Sequence, residues 1–401
     1  MSTRFEKSFT RQEPIPAAAV ERALAVLGSG RLHRYDSPPQ GGLGEASSLE
    51  LEFARYQGQD YCLACASGGY ALQLALRTAG VRPGEPVLTN AFTLSPVPGA
   101  ISAVGARPRL IETTAELVID LEHLERVAKA SPARVLLLSH MRGHIADMDG
   151  VASLARAHDL TLIEDCAHTM GATFGGRKSG THGALACFST QTYKHLNSGE
   201  GGLLTGDDPA LMARAILLSG SYMLYERHGA APPPEAFEPH RLTTPNCSGR
   251  MDELRAAILR PQLAALDDSA ERWNERHRTM REILEPVEGI RLPRPHPRAR
   301  EVSSSIQFFT DDLDEDRNAR FLERCAAAGV TLKWFGRAEP VGYTSRHDSW
   351  AYVESAPLPN TDAVLRRLHD CRIPLTFDLE DCRTVATIIG ETLDAARRDR
   401  P

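Results

Sequence analysis

The sequence predicts an α/β protein: a buried, mostly parallel sheet flanked by helices, followed by a smaller α+β unit. Three observations carry this expectation. First, apolar runs of four to seven residues alternate with helical patterns through the first half of the chain, the mark of βαβ units and of a sheet covered on both faces. Second, Ser67, Phe92, His140, Asp165 and Lys194 all fall at or just past the carboxyl ends of such runs, where ligands bind in sheets of this kind. Third, the strand-like runs SSIQFFT and VTLKWF appear late in the chain, set among longer helical patterns.

Taken in order, residues 1–45 are polar and punctuated by glycine and proline, with a helical pattern at Ala17–Leu27 and a loop by composition at SPPQGGLG. SSLELEFARY reads as a capped amphipathic helix and YCLACAS as a buried strand. Ser67, Gly68 and Gly69 then open the helical run YALQLALRTAG. Strand, small residues and helix in that order present free backbone N–H groups and the positive end of a helix dipole to one spot. A phosphate fits there, and so does an ordinary glycine turn. PVLTN is the next strand, with Phe92 and Leu94 at its end, and ARPRLIE, ARVLLLSH and TLIED follow as further strands. The last of these ends at Asp165. The apolar LACF leads to Ser189 and delivers Lys194 into a Gly-rich loop.

Beyond Gly202 a helical run precedes a long segment rich in proline and aromatics. Loops of that length inside compact proteins are usually functional or lie at an interface, so Tyr225, Arg227 and His228 are candidates for substrate recognition. From Gly249 the chain is strongly helical, and Pro261 predicts a kink or break inside the helix. We expect an N-terminal segment and large domain over 1–262 and a small C-terminal domain over 263–401. Trp334 and Arg337 of the small domain are further recognition candidates.

The bulk numbers exclude several classes. Apolar and charged fractions of 42% and 24% are those of an ordinary globular protein. A formal charge of −6 gives no electrostatic reason to expect nucleic acid or an anionic membrane as partner. No apolar run approaches the roughly 20 residues that span a bilayer. The opening residues lack an apolar signal core, so the expected location is the cytoplasm. Eight scattered cysteines fit a reducing compartment. Cys62 and Cys65 lie in a strand, where residues three apart face opposite ways, so packing is expected rather than chelation. His140 and His144 have a spacing that suits a metal only on a helix, and Gly143 argues against one. No metal is expected.

Lysine occurs only at 7, 129, 178, 194 and 333 among 46 basic residues, so a lysine kept in a Gly-rich loop calls for a reason. An acid and a lysine at the ends of successive strands are the parts that a pyridoxal phosphate (PLP) enzyme uses. The lysine holds the cofactor aldehyde as a Schiff base, and the acid keeps the pyridine nitrogen protonated. Each has a plainer reading: Lys194 as a surface lysine, Asp165 as a helix cap or ion-pair partner, Ser189 as a turn residue.

Taken together, the stretches LELEFARYQGQ, ASGGYALQLAL, PGEPVLTNAFT, DMDGVASLARAHDLTLIEDCAHTMGATFGG, FSTQTYKHLNSGEGGLLTGD, RMDELRAAILRPQL and APLPNTDAVLRRLHDCRIPL resemble the DegT/DnrJ/EryC1/StrS family of PLP-dependent aminotransferases. The resemblance covers most of the chain. It implies a fold-type I homodimer with active sites at the subunit interface, an amino donor such as glutamate or glutamine, and a keto sugar, cyclitol or other small carbonyl acceptor. It implies Lys194 as the cofactor lysine, Asp165 as partner of the ring nitrogen, and His168 near the ring face. Ser189 with Ser67, Gly68 and Gly69 would form the phosphate cup. The chain departs from the family at several points. Gly69 replaces a threonine of the cup, and Leu94 stands where a stacking aromatic is usual, so Phe92 is expected to serve instead. Ser248 stands at a position where an asparagine reaches the other subunit's phosphate, leaving Asn246 as the nearby candidate. These departures leave the acceptor open. The competing readings are a dehydratase or decarboxylase on the same fold and a non-catalytic regulatory homologue. Related sugar dehydratases replace the lysine, so an intact Lys194 argues against the first. Retention of both Asp165 and Lys194 argues against the second.

Overall fold

In chain order the elements are α1 (Ala17–Ser29), α2 (Glu45–Gln57), β1 (Tyr61–Cys65), α3 (Gly68–Thr78), β2 (Pro86–Asn90), α4 (Pro96–Ala103) and β3 (Arg107–Ile111). There follow α5 (Leu121–Ala130), β4 (Val135–Ser139), α6 (Met148–Ala157), β5 (Thr161–Asp165), β6 (Thr173–Phe174), β7 (Arg177–Lys178), β8 (Leu185–Ser189), β9 (Gly202–Gly206) and α7 (Pro209–Ile216). The remainder holds α8 (Glu253–Ala264), α9 (Leu266–Leu284), β10 (Ile290–Arg291), β11 (Ala299–Arg300), β12 (Ser305–Thr310), α10 (Glu315–Ala327), β13 (Lys333–Trp334), α11 (Pro359–Leu365), β14 (Leu368–Arg372) and α12 (Leu379–Arg398). This computed structural model describes residues 4–36, 41–341, 346–354 and 356–398, so residues 37–40 of the expected SPPQGGLG loop lie outside the described residues.

Seven strands form the main sheet in the order β1-β9-β8-β5-β4-β2-β3. Only β9 runs against its neighbours; the other pairings are parallel. The apolar runs become buried strands because their alternate side chains enter different cores. In β4, Val135 and Leu137 join one cluster with α3, α4 and α7, while Leu136 and Leu138 join another with α5 and α6. Cys62 and Cys65 of β1 likewise enter different clusters. Helix starts follow from short polar caps: the side chains of Ser67, Asp120, Asp208 and Asp252 accept from first-turn N–H groups of α3, α5, α7 and α8. The break expected at Pro261 falls at Ala265, between α8 and α9.

A second sheet, β10-β12-β14-β13, packs one face against α9, α10 and α12. The start of the chain also packs into this smaller unit. Phe5 and Phe9 lie in the core of this smaller unit, edge-on to Phe377 at 5.0 Å each, and Phe5 N donates to Ala328 O at 2.9 Å. Two exposed-looking phenylalanines in a polar segment are thus drawn to the nearest large apolar surface. From there the chain runs through Gln12–Pro16 along the mouth of a cavity between the two units.

Candidate active site

At the carboxyl end of β1, Ser67 Oγ accepts from Tyr70 N at 3.0 Å and caps α3. A Cβ on Gly68 would stand 2.7 Å from Ser189 Cβ, so only glycine lets the first turn of α3 approach the end of β8 this closely. A Cβ on Gly69 would meet nothing within 4 Å. Ser67, Gly68, Gly69 and Ser189 all line the cavity, so the start of α3 opens onto it with the Ser189 hydroxyl beside it. A helix start of this kind, open to a cavity, is the arrangement in which backbone N–H groups and the helix dipole favour an anion.

Asp165 ends β5 at the same cavity and is buried. Ser139 Oγ donates to Asp165 Oδ2 at 2.8 Å, and Ala167 N donates to Oδ1 at 3.2 Å. Ser139 is itself set by neighbours: Thr93 Oγ1 donates to its hydroxyl at 2.9 Å, and its N–H donates to Asn90 Oδ1 at 2.8 Å. One carboxylate is thus oriented by a chain of groups from three adjacent strand ends.

Lys194 stands opposite, its Nζ 2.7 Å from His168 Nε2. Burial brings the amine down to about 7; Asp165 opposes this, while Arg142, Arg372 and Lys333 add to it. Burial, followed by Lys194 and Arg142, also pushes His168 well below its usual value. A neutral imidazole therefore meets an amine that shares its proton readily near neutrality. His195, which the sequence left without a role, also lines the cavity, edge-on to Trp273 at 5.0 Å.

Several sequence candidates lie elsewhere. Phe92 does not reach the cavity: it is buried edge-on to Phe335 at 5.1 Å, and Leu94 lines the wall instead. Asn246 does not line this protomer's cavity either. Tyr225 stacks on Phe237 at 4.6 Å, and Arg227 donates to the carbonyl of Tyr35. His228 is buried against Glu50 at 3.1 Å, and Glu50 also takes Arg34 at 2.7 Å. Burial raises the Glu50 carboxyl, but Arg34 and His228 prevail and hold it at about 2. That trio staples the long loop to α2 and is not open to substrate. Trp334 is buried and donates to Arg366 O at 2.7 Å, while Arg337 is exposed. Lys333, the neighbour of Trp334 in β13 and so on the other side of the strand, lines the cavity. Arg142, Tyr193 and Arg372 also line it and were missed. Alternation within VTLKWF was the available signal for Lys333; nothing local distinguished Arg142 or Arg372.

His140 and His144 part company. His140 Nε2 lies 3.1 Å from Glu164, and Cys166 is close by. Glu164 also accepts from the N–H groups of Gly180, His182 and Gly183, which closes that cluster with hydrogen bonds of its own. His144 instead meets Gln307 at 2.9 Å.

The cavity measures about 440 Å3, within the range of small-ligand sites. An oriented carboxylate, an amine of lowered proton affinity and an open helix N-terminus with a hydroxyl beside it match the ring nitrogen, aldehyde and phosphate of PLP. The residues present fit that group.

The model of the DegT/DnrJ/EryC1/StrS aminotransferase family matches residues 40–390. The chain is 33% identical over 357 residues to the dTDP-3-amino-3,4,6-trideoxy-alpha-D-glucose transaminase of Streptomyces venezuelae, covering 85% of this chain and 87% of that one. It is 31% identical over 277 residues to the L-glutamine:2-deoxy-scyllo-inosose aminotransferase of Micromonospora echinospora, covering 68% and 64%. Among solved structures it resembles 3-amino-5-hydroxybenzoic acid synthase with a TM-score of 0.81 and 26% identity, covering 97% of this chain and 99% of that one.

Proposed function

The chain belongs to the DegT/DnrJ/EryC1/StrS aminotransferase family and is a transaminase, and from that premise we propose how its residues work. Lys194 would hold PLP, and an amino group would pass from glutamate or glutamine to a small carbonyl acceptor. The observation that carries this reading is the pairing of Lys194 with His168 in a cavity whose other features are the oriented Asp165 and the open turn at Gly69.

When bound, PLP supplies an aldehyde that carries the amino group and a ring that withdraws electrons from the substrate carbon. Asp165, held by Ser139 and Ala167, would keep the ring nitrogen protonated. Ser67, Gly68, Gly69 and Ser189 would bind the phosphate. Lys194 Nζ takes the proton from the donor α-carbon and holds it beside His168 Nε2. A base with a pKa near 7 suits that task, because at neutral pH about half of it is unprotonated and it still accepts a proton.

The active unit we propose is a homodimer. Val20, Leu24 and Leu27 of α1 are 44%, 61% and 52% exposed, at helical spacing, and a second copy would cover them. Asn246, directed at the partner's phosphate site, remains part of that reading. No helix among the described residues is long and apolar enough to cross a membrane. The eight cysteines, all but Cys247 buried, support a reducing compartment, the cytoplasm.

A spectrum tests the reading. The purified protein is expected to be yellow, glutamate or glutamine alone is expected to convert the chromophore to its aminated form, and Lys194→Ala is expected to abolish both signals. A colourless protein in which Lys194→Ala changes nothing would sink the enzymatic reading. A chromophore that no donor converts would favour the dehydratase or decarboxylase.

A further inference from the structure

The loop that follows β4 carries two polar residues, Arg142 and His144, across to the small sheet. Arg142 Nη2 lies 2.9 Å from Asp370 Oδ2, with 7% and 1% of the two side chains exposed. His144 meets the same sheet, its Nε2 2.9 Å from Gln307 Oε1. Gln307 of β12 and Asp370 of β14 are direct partners in the strand register. Residues two apart on one loop thus grip a cross-strand pair on the other unit. Gln307 joins the two contacts, since its Nε2 donates to Asp370 Oδ1 at 2.6 Å and to Ser305 Oγ at 2.8 Å. An amide whose nitrogen is so engaged turns its oxygen to His144, which therefore presents a proton on Nε2.

Stability alone does not account for this joint. A buried ion pair adds little beyond what well-packed apolar residues of the same size would give. The backbone of Arg142 is also unfavourable, with φ 58° and ψ 14°, in the left-handed region that a residue with a Cβ seldom occupies. Such placements persist where a site uses them. Arg142 lines the cavity that holds Lys194.

From that wall the guanidinium acts on Lys194. Burial is the main cause that brings the amine down to about 7; Asp165 opposes it, and Arg142, Arg372 and Lys333 add to it. His168, 2.7 Å from Nζ, is pushed well below its usual value and stands neutral. Among the three cations Arg142 alone comes from the large unit, and it is the one that the small sheet grips through Asp370.

We propose that Asp370 and Gln307 are positioning residues of the transaminase: bound to each other across the small sheet, they fix Arg142 at the cavity wall, where its charge faces the cofactor lysine. The inference rests on the transaminase reading. It gives the small unit a part in the chemistry, because the seating of β12 and β14 on the loop after β4 decides where that charge stands.

The sign of one shift separates positioning from mere screening. If Asp370 holds Arg142 in place, Asp370→Ala releases the guanidinium from the wall, and Lys194 keeps its proton to higher pH. If Arg142 stays without it, loss of the negative charge makes Lys194 release its proton at lower pH. The measurement is the pH midpoint for uptake of PLP by the full chain freed of cofactor, followed by stopped-flow absorbance. Asp370→Ala is expected to raise the midpoint by about half a unit or more, as Arg142→Gln does, and the double variant is expected to match Arg142→Gln alone. Gln307→Met cuts the bridge with no change of charge, and is expected to raise the midpoint by a smaller amount. A midpoint that falls or stays in Asp370→Ala overturns the proposal. Should that variant not fold, an unmoved midpoint in Gln307→Met does the same. Wild-type chain that takes up no PLP would end the transaminase reading and this inference with it, whereas normal uptake with unmoved midpoints overturns the inference alone.

Discussion

Among single residues, Lys194 is where burial becomes chemistry. In the unfolded chain its amine holds a proton up to about 10.5, whereas in the cavity it releases it near 7. Between those values the unfolded chain binds more protons, so this residue's contribution to stability rises with pH over that window; below about 7 the full penalty of its charge remains. The same shift governs reactivity, because a neutral amine is the form that attacks an aldehyde. The rate at which cofactor-free protein takes up added PLP is expected to rise with pH and level off with a midpoint near 7. Arg142→Gln removes a neighbouring positive charge, so it is expected to move that midpoint upward. A midpoint unmoved in this variant, read by stopped-flow absorbance, would show that the arginine does not act on Lys194. His168 belongs to the same scale. Its neutral ring beside Nζ orients the amine, a role visible only once two loops 26 residues apart are brought to 2.7 Å.

Within an element, the first turn of α3 does the positioning. Gly68 lies under Ser189 with no room for a Cβ, whereas Gly69 beside it opens onto free space. The two glycines thus predict opposite outcomes. Gly68→Ala is expected to cost about 1–3 kcal/mol of stability, measured by urea unfolding, and to loosen the cofactor as β8 is pushed away. Gly69→Thr is expected to fold normally and to retain the cofactor more tightly, by about 1 kcal/mol or roughly fivefold in dissociation constant, because a hydroxyl joins the cup. Equal behaviour of the two variants would dismiss the cup. The stapled loop makes the converse point. Tyr225, Arg227 and His228 look like recognition residues on a long polar loop, but Glu50 and Arg34 on distant segments bury the histidine and fix the loop as structure.

For the whole molecule, the cavity owes its shape to the meeting of two units and the chain's own start. The main sheet supplies Asp165 and Lys194, the small sheet supplies Lys333 and Arg372, and Gln12–Pro16 run along the mouth. The exposed apolar surface of α1 extends the same logic to a second copy. Leu24→Asp is expected to yield monomers by sedimentation and to weaken cofactor retention, since the partner's share of the phosphate site is lost with the interface. A variant that remains dimeric would put the contact elsewhere.

Much of this was legible in the sequence because it is local. Alternation of apolar runs with helical patterns sets the strands, and strand ends bring Ser67, Asp165, Ser189 and Lys194 to one edge whatever else the chain does. The resemblance of the surrounding text to a family then named the cofactor. What remained hidden depends on contacts between distant segments. Phe92 turned to Phe335 in the core, Phe5 and Phe9 crossed to the small unit, and Lys333 rather than Trp334 met the cavity. Arg142 gained its significance from Asp370, 228 positions further on. A side chain's identity states what it can bind, and the pairing register and the packing of the two units decide what it faces. The sequence by itself thus determined the sheet and the placing of Asp165 and Lys194 at its edge, while the tertiary structure alone decided the charge around Lys194, because Arg142, Lys333 and Arg372 come from separate elements.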